Sequence, residues 1–460
     1  MKNSTSRTLI KILISKSTFL LCTLVLTSSH ASSAQTDSTT LSLKECLTRG
    51  LKHNYDLQIV RIDQSIANTN ATRANAGMLP TISASVGYTA DVSSTETQVG
   101  GTKSKANGIV GHTFNAGLKA DWTLFDGFKI QANYKRLKEL RTKSEIQTRI
   151  ELEDFVASAA TAYYNVVRQQ VRMKNMRASL DLSRERLRIV RERYYLGAAS
   201  RLDLRSAEVD FNADSTQVLT QHEALINSII DLQEMMGASA NYYDGKGFLM
   251  ISPNDTTIPL LTSINVDTLE QTMLTSNARV LKAASETRLS ELDYKAVMSR
   301  DFPYLKLSAD YGYSHSVQTT SPTTKRDNLG GGVGVTIGMK IFDGNRKRER
   351  HNALAEITKS EIAQQDLELS LKAQLERLWK SYVNNLRLLS LAEENLKAAG
   401  EHHEAAQERF MLGNLSGIEM RQAEQNLLDA RERMVDTQFS TKACEISLLN
   451  IGGQVMQLTQ

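Results

Sequence analysis

The sequence contains few of the residues that interrupt helices. Only 5 of its 460 residues are proline, against the roughly two dozen that average usage would give. Its 25 glycines are also fewer than average. This scarcity permits helices much longer than the average of about three turns, and it excludes collagen and proline-rich linkers. Three cysteines exclude a disulfide-stapled mini-protein. Because no run of about 18 apolar residues occurs, a polytopic helical membrane protein is excluded as well.

Residues 1–34 are typical of a secretory signal peptide. Four basic residues without an acid accompany the apolar segment 19–26, and small residues follow up to Ala34, after which we expect cleavage. Removal of this leader reduces the 55 lysines and arginines to 51, which equals the 51 acids. The net charge of +4 therefore comes from the export signal. Because the mature chain has no net positive charge, its composition does not favour binding to nucleic acid.

Two cysteines, Cys46 and Cys444, remain in the mature chain. They could form a disulfide in an oxidising compartment, but their spacing does not show that they are close together. We favour the alternative, two small buried thiols on separate helices.

The mature sequence consists of two similar copies. Phe125-Asp126-Gly127 recurs as Phe342-Asp343-Gly344, and Arg193-Tyr194-Tyr195-Leu196-Gly197 recurs as Arg409-Phe410-Met411-Leu412-Gly413. These motifs recur at spacings of 217 and 216, whereas Pro80 and Pro303 are 223 apart, so the first copy has the longer loop after its proline. Self-similarity of this kind indicates a repeat architecture. We assign the first repeat to 35–237, a linker to 238–265, the second repeat to 266–452 and a tail to 453–460.

Each copy is predicted to begin with one helix of about 38 residues, started by a capping box. The boxes are Ser42–Glu45 and Asp267–Glu270. Pro80 or Pro303 ends the helix, because the residue before a proline is disfavoured in helical geometry. Two strands follow in each copy, at about 81–91 and 112–124, and at about 304–314 and 329–341.

Apolar and polar residues alternate along all four predicted strands. Leu305, Leu307 and Ala309, for example, alternate with Lys306, Ser308 and Asp310. Such segments of about ten residues occur in transmembrane β-barrels, but also in soluble sandwiches with one wet face. The export signal and the isolated strand pairs favour the barrel. Because four strands cannot close a barrel, several copies must contribute, with the polar connections 91–111 and 315–328 as outer loops.

One very long helix is predicted in each copy. No proline occurs between Gly127 and Leu196 or between Gly344 and Leu412, and about 69 helical residues span roughly 100 Å. Core-type residues recur at every seventh position, which indicates left-handed coiled-coil packing. The two series are Leu152, Ala159, Val166, Met173, Leu180, Leu187 and Tyr194, and Leu375, Tyr382, Leu389, Leu396, His403 and Phe410. Each helix should end at a C-cap glycine, Gly197 or Gly413, before a returning helix that starts at Ser200 or Ser416.

This organisation resembles the TolC-type family of outer-membrane efflux channels. The resemblance rests on the duplicated strand pair and helical hairpin, both Phe-Asp-Gly turns and the paired Arg…Leu-Gly…Ser…Ala-Glu tips, and it covers about 42–452. It implies a mainly α-helical fold with a β-barrel sector, in a homotrimer whose twelve-stranded barrel continues into a twelve-helix periplasmic tunnel. The implied partners are outer-membrane lipid, a periplasmic adaptor (membrane fusion protein) and an inner-membrane pump of the RND, ABC or MFS type.

The resemblance also implies a constriction at the periplasmic tips of the hairpins. Asp203 and Glu419 hold matching positions after the tip glycines, and a ring of Glu419 carboxylates would favour cations. Both acids also complete possible capping boxes, Ser200–Asp203 and Ser416–Glu419, so helix capping is the alternative role.

Two further positions of the predicted constriction depart from the family pattern. Phe410 stands where the best-known members have a tyrosine, and Gln422 stands where they have a second acid. We therefore do not expect an ionic latch identical to theirs.

The tips are also the predicted contact with the adaptor. Small and apolar exposed residues suit helix-to-helix docking, and arginines flank them. The predicted contact residues are Arg193, Leu196, Gly197, Ser200, Arg409, Leu412, Gly413 and Ser416. For the arginines, an ordinary solvated charged face is the alternative.

No motif points to catalysis, a cofactor or a metal. His402 and His403 lie between two glutamates, but adjacent side chains point about 100° apart on a helix, so we expect no zinc site. A nucleophile elbow and a P-loop are absent from the sequence. We expect a passive outer-membrane conduit for efflux or type I secretion that opens at its helical tip. The alternative is a periplasmic coiled-coil adaptor without a channel.

Overall fold

The computed structural model describes residues 40–237, 252–253, 257–261, 264–319 and 323–459. One compact unit comprises 41–240 and 253–460, and the helices and sheet described below belong to it. Of the other unit, 1–40 and 241–252, only Thr40 and Ser252 are described. The predicted signal peptide and much of the predicted linker therefore lie outside the described residues.

The same order of elements occurs twice along the chain. The first set is α1 (Leu43–His53), α2 (Tyr55–Asn70), β1 (Thr81–Val99), β2 (Thr102–Asp126), α3 (Lys129–Tyr195) and α4 (Arg201–Met235). The second set is α5 (Val266–Ser276), α6 (Ala278–Met298), β3 (Tyr304–Gln318), β4 (Thr324–Gly338), α7 (Arg346–Met411) and α8 (Gly417–Ile451). Short 3₁₀ segments lie at Ser299–Asp301 and Val455–Thr459, and two-residue strands at Thr40–Leu41 and Ser252–Pro253. The predicted fold class, long helical hairpins with four strands, is confirmed.

The prediction of one helix before each strand pair is wrong. Asn54 separates α1 from α2, and Asn277 separates α5 from α6. The side-chain oxygen of each asparagine caps the second helix, while its side-chain nitrogen donates to the carbonyl of Met235 (3.0 Å) or Ile451 (2.8 Å). Asparagine is a good N-cap but does not itself forbid a helix, so these breaks depend on contacts that are distant in sequence.

The two first helices also differ in how they start. The capping box of Ser42 and Glu45 forms as predicted. In the second copy Asn265 caps α5, with its side-chain oxygen accepting from the backbone nitrogens of Asp267 and Thr268, so the predicted start at Asp267 is wrong by two residues. The side chain of asparagine can accept hydrogen bonds from the unpaired backbone nitrogens of the first helical turn, as that of aspartate can. Because Asn265 precedes Asp267, the helix begins earlier than predicted.

The four strands form one antiparallel sheet in the order β1-β2-β3-β4. The first two pair from Thr81↔Asp121 to Val99↔Thr102, so the prediction of a loop over 91–111 is wrong. Likewise β3 continues to Gln318 and β4 begins at Thr324, where a loop over 315–328 was predicted. In these extensions both faces of the strands carry polar residues, so the sequence does not alternate between apolar and polar residues there. The strands still pair, because backbone hydrogen bonds do not require an apolar face.

The register places the apolar residues of all four strands on one face. One row across the sheet consists of Val86, Ala116, Tyr313 and Leu329, and the row four pairs away consists of Ile82, Ala120, Ala309 and Val333. Val86 and Val333 are 75% and 78% exposed, so no described residue of the chain covers this face. The outer edges of β1 and β4 have no strand partner within the described residues.

The long helices pack as two hairpins, α3 with α4 and α7 with α8, and α3 also packs against α8. Every member of the two seven-residue series is buried or half-buried except Tyr194, which agrees with the predicted packing. At 67 residues, α3 is about 100 Å long. Among the described residues, no helix has an apolar stretch that would let it cross a membrane.

The first Phe-Asp-Gly turn is tightly packed, whereas the second is open. Gly127 has φ +70°, and a Cβ there would lie 2.1 Å from the carbonyl oxygen of Ser299, so glycine is required. Gly344 has no neighbour within 4 Å of the corresponding point. The motif is therefore a packing requirement in the first copy only.

Cys46 and Cys444 are free thiols. Cys46 is buried in α1, and this burial raises the pKa of its thiol to about 12. Cys444 is half-buried in α8. The alternative of two separate thiols is therefore the correct one.

Candidate functional site at the helical tips

Both long helices end in the same glycine turn. Gly197 and Gly413 have φ of +75° and +81°, a conformation that side chains other than glycine rarely adopt. Gly197 N donates to Tyr194 O (3.0 Å), and Ala198 N donates to Arg193 O (2.7 Å). Gly413 and Asn414 repeat this pair of bonds at the end of α7. The predicted C-caps are thus confirmed as Schellman motifs.

The two acids of the predicted constriction form capping boxes. Glu419 Oε2 accepts from the backbone nitrogen of Ser416 (3.0 Å) and from its hydroxyl (2.8 Å). Asp203 makes the equivalent bonds with Ser200. The hydroxyl and backbone of Ser200 lower the pKa of Asp203, and the backbone and hydroxyl of Ser416 lower that of Glu419. Both carboxylates are exposed and stay charged at neutral pH, so they can cap a helix and still present charge to solvent.

Phe410 and Gln422, the other predicted constriction residues, occupy different environments. The Phe410 ring is 3% exposed and packs in a cluster with residues of α3, α4 and α8, including Leu187 and Met420. Gln422 is exposed and donates to Asn426 Oδ1 at 2.9 Å on the same helix face. Their role in a constriction remains a prediction.

The predicted adaptor-contact residues are exposed, with one exception. Leu196, Gly197, Ser200, Arg409, Leu412, Gly413 and Ser416 are all exposed. Arg193 is half-buried, because its Nη2 donates to Phe410 O at 2.6 Å and its guanidinium lies 4.8 Å from the centre of the Phe410 ring. This arginine therefore joins the two tips, which neither the contact prediction nor the solvated-face alternative anticipated.

Further exposed apolar residues surround the same turns. They are Tyr195, Leu202, Met411 and Ile418. Each lies within five residues of Gly197 or Gly413, so proximity to the tip glycines is the sequence signal that could have identified them. The tips thus present an apolar surface larger than the predicted one.

A group of buried and half-buried charges, which the sequence did not reveal, lies about one to four helical turns from the hairpin turns. This tip charge cluster consists of Arg186, Asp210, Asp214, Arg421 and Glu424. Arg421 binds Asp214 through two 2.6 Å hydrogen bonds, and Arg186 Nη1 lies 2.9 Å from Asp210 Oδ2. Arg186 Nε lies 3.3 Å from Glu424 Oε2, but neither atom has a hydrogen-bond partner.

Glu424 has an unusual proton affinity. Its carboxyl is almost completely buried, and this loss of hydration raises its pKa to about 7. The nearby guanidinium groups of Arg186 and Arg421 oppose this effect but do not cancel it. The negative charges of Asp214 and Asp210 raise the pKa of Glu424 further.

Ion pairs continue along the contact between α3 and α8. Arg172 binds Glu432 through a hydrogen bond, and Arg168 lies 3.7 Å from Asp436. The Arg168 guanidinium also lies 4.3 Å from the centre of the Phe439 ring. We call this contact, together with the tip charge cluster, the intrachain seam. It connects the hairpin of one repeat to the hairpin of the other.

The histidine pair is divided between two environments. His403 is buried at its coiled-coil position, and burial lowers the pKa of its imidazole, whereas His402 is exposed. Within the described part of the chain, no group of three or more potential ligands could hold a metal ion.

Comparison with known proteins gives one family and several relatives. The family model described as outer membrane efflux protein matches residues 47–238 and 269–454. The pyoverdine export outer membrane protein OpmQ of Pseudomonas aeruginosa is 23% identical over 422 residues, which cover 89% of this chain and 85% of that protein. The outer membrane protein TolC of Vibrio cholerae is 19% identical over 412 residues, covering 86% of this chain and 87% of TolC.

Solved structures share the fold. The outer membrane channel CmeC of Campylobacter jejuni matches with a TM-score of 0.74 at 16% identity, over 90% of this chain and 86% of CmeC. At this identity the likeness establishes the arrangement of helices and strands.

Proposed function

Because the chain belongs to the outer membrane efflux protein family, we propose that it is the outer-membrane channel of a tripartite efflux or type I secretion system. The resemblance to TolC-type channels, first drawn from short motifs, is confirmed by this membership. The channel is a passive conduit, and an inner-membrane pump supplies the energy. The observation that carries the proposal is the sheet with one uncovered apolar face, joined to helices of about 100 Å.

Several copies must assemble to make this sheet stable in a membrane. An exposed strand edge in hydrocarbon leaves backbone donors and acceptors without partners, so transmembrane sheets close into barrels. The edge of β4 would therefore pair with β1 of the next copy. Three copies give a barrel of twelve strands, which is within the observed size range of about 8 to 26 strands.

The helical hairpins would extend this barrel into the periplasm and end in a gate. The exposed carboxylates of Asp203 and Glu419 would line the narrowest part, and their low pKa keeps them charged and selective for cations. Opening requires the hairpins to move relative to one another, not a chemical reaction.

The exposed apolar tips would dock a periplasmic adaptor. Leu196 and Leu412 lie at matching places in the two repeats, so a closed assembly presents them alternately around its end. An adaptor with helical tips of complementary shape could bind this ring, and an inner-membrane pump of the RND, ABC or MFS type would complete the system.

Single-channel recording of the purified full chain in planar bilayers tests the proposal. We expect a detergent-resistant trimer that gives discrete, cation-selective current steps. A protein that neither conducts nor runs as a trimer would contradict the channel, and would favour the periplasmic adaptor without a channel. Cross-linking at the tips in cells, followed by identification of the attached protein, would establish the adaptor.

A further inference from the structure

A pocket of about 350 Å³ lies at the helical end of the sheet, between α3 and α6 of the same chain. It begins where the sheet ends, because Phe125 and Asp126 are the last residues of β2 that pair with β3, and the pocket residues Gly127 and Phe128 follow at once. No acidic residue lines it. Its larger apolar residues are Phe128, Leu292, Met298 and Phe302.

A strained backbone holds Phe128 in this pocket. Its φ of +71° is the only positive value of a non-glycine residue within the described part of the chain. The ring makes edge-to-face contacts with Phe125 and Phe302, with centres 5.1 and 6.1 Å apart, yet it stays 58% exposed. Strain of this kind is common at ligand sites. Exposed aromatic rings at the end of a transmembrane sheet are typical of the boundary between hydrocarbon and water.

Two lysines of the pocket carry charges that are not compensated. Lys135 on α3 and Lys295 on α6 are both exposed, and neither has an ion-pair partner among the residues that the structure describes. The neighbouring base Arg136, by contrast, pairs with Asp293 of α6 at 2.7 Å. The pocket therefore combines an apolar, aromatic lining with two free ammonium groups.

The pocket opens on the side of α3 that would face away from the tunnel. Gln131 of the pocket precedes Val156 by 25 residues, about seven helical turns, so the two lie on the same side of α3. Val156 belongs to a buried cluster with Leu47 of α1. Because the interior of a conduit must stay open, α1 and the pocket would lie on its outer side. A lipid beside the sheet could reach such a pocket, whereas cargo inside the channel could not.

We propose that this pocket binds an anionic phospholipid of the membrane leaflet that faces the periplasm, an inference that rests on the proposed channel function. The ammonium groups of Lys135 and Lys295 bind the phosphate of the headgroup, and the rings of Phe128 and Phe302 contact the first carbons of the acyl chains. Two lysines without an acid favour a headgroup with a net negative charge. The bound lipid fixes the depth at which the sheet meets the helices in the membrane.

The second repeat does not provide an equivalent pocket within the chain. Asn345 follows its Phe-Asp-Gly turn where Phe128 follows the first, and Gly344 has no neighbour within 4 Å of its Cβ position. The spacing of 223 that relates Pro80 to Pro303 places Thr72 at the position of Lys295. We therefore expect one lipid site per chain.

Retention of lipid by the full-length oligomer tests the proposal. Native mass spectrometry after addition of dioleoylphosphatidylglycerol or dioleoylphosphatidylcholine counts the lipids bound per chain. We expect one phosphatidylglycerol per chain, held about tenfold more tightly than phosphatidylcholine. Lys135→Gln with Lys295→Gln should abolish this preference.

A matched control removes the same charge elsewhere. Lys174→Gln with Lys397→Gln changes two exposed lysines that also have no ion-pair partner among the described residues, and Lys174 lies about 60 Å along α3 from Lys135. This control should keep the native preference. An equal loss in both double variants would overturn the site, because it would show attraction to overall charge only. Equal retention of the two lipids by the native chain would also overturn it.

Two further measurements separate the proposal from its alternatives. Excess glycerol 3-phosphate should not displace the lipid, because it lacks acyl chains, and displacement would contradict a lipid site. Lys295 also lies in the last turn of α6, where a positive charge stabilises a helix end. If the Lys135 and Lys295 variant melts at a lower temperature in lipid-free detergent but keeps the lipid preference, that structural role is the correct one.

Single-channel recording distinguishes failure of the lipid site from failure of the channel. A native chain that conducts but shows no preference for phosphatidylglycerol contradicts the lipid site alone. A native chain that does not conduct contradicts the proposed function on which the site rests.

Discussion

Arg421 of α8 binds Asp214 of α4 through two parallel hydrogen bonds of 2.6 Å. The two residues belong to different repeats and are 207 positions apart. Asp214 is only 4% exposed, so the arginine replaces the hydration that this carboxylate lost on folding. The contact therefore fixes the position of one hairpin relative to the other.

The first prediction concerns this pair. Arg421→Ala leaves Asp214 buried without a counter-charge, and we expect a loss of about 3–5 kcal/mol in the free energy of unfolding. Thermal and urea unfolding followed by circular dichroism measure it. Arg205→Ala is the matched control, because Arg205 holds the equivalent position but is exposed and pairs with Glu208 on its own helix. Equal losses in the two variants would contradict a stabilising role for the buried pair.

The second prediction is a pH dependence caused by Glu424. Its pKa of about 7 in the folded protein lies above its ordinary value of 4.5, so folding favours the protonated form. The stabilisation from this group is complete below pH 4.5 and is lost as the pH rises to about 7. Relative to Glu424→Gln, the native chain should lose on the order of 3 kcal/mol of stability between acid and pH 8.

Stability curves of the native chain and Glu424→Gln across this pH range test the effect. Taking the difference between the two curves removes the titration of groups that they share. Glu408→Gln controls for loss of an exposed carboxylate, and it should differ from the native chain by less than about 0.5 kcal/mol. A difference between native chain and Glu424→Gln that does not change with pH would refute the prediction.

The third prediction separates the two roles of Glu419. Glutamine at this position can still accept from the backbone nitrogen of Ser416, so Glu419→Gln removes the charge and keeps the capping box. Its melting temperature should stay the same while the ratio of cation to anion permeability falls. Ser416→Ala should do the opposite, with a loss of about 1 kcal/mol in stability and unchanged selectivity.

Reversal potentials in a salt gradient, measured beside melting curves, distinguish these variants. If Glu419→Gln alters neither quantity, capping is the main role of this residue. The comparison needs both variants, because an alanine at position 419 would remove charge and cap together.

Features encoded in short stretches of sequence were predictable. The turns at Gly197 and Gly413 and the boxes started by Ser200 and Ser416 depend on residues within a few positions of one another, and the structure contains all of them. The duplication was equally visible, because motifs recur in the same order.

Features that depend on distant partners were not predictable. Asn54 ends α1 partly because its side chain reaches the carbonyl of Met235, 181 residues away. Arg186 looks like any arginine of a charged helix face, and only packing against α8 shows that it is buried beside Glu424. A single sequence does not contain that pairing.

The last prediction concerns the face of the sheet that would meet lipid. Val335 pairs with Leu307 on the apolar face, whereas the next residue, Thr336, pairs with Lys306 on the polar face. If the apolar face contacts the hydrocarbon, Val335→Arg should destabilise the inserted barrel by about 2–4 kcal/mol, and Thr336→Arg, which faces the lumen, should have little effect. Urea unfolding in lipid vesicles and the yield of heat-resistant oligomer measure the difference. Equal behaviour of the two variants would show that the apolar face does not contact lipid, because adjacent residues of a strand differ only in the face to which they point.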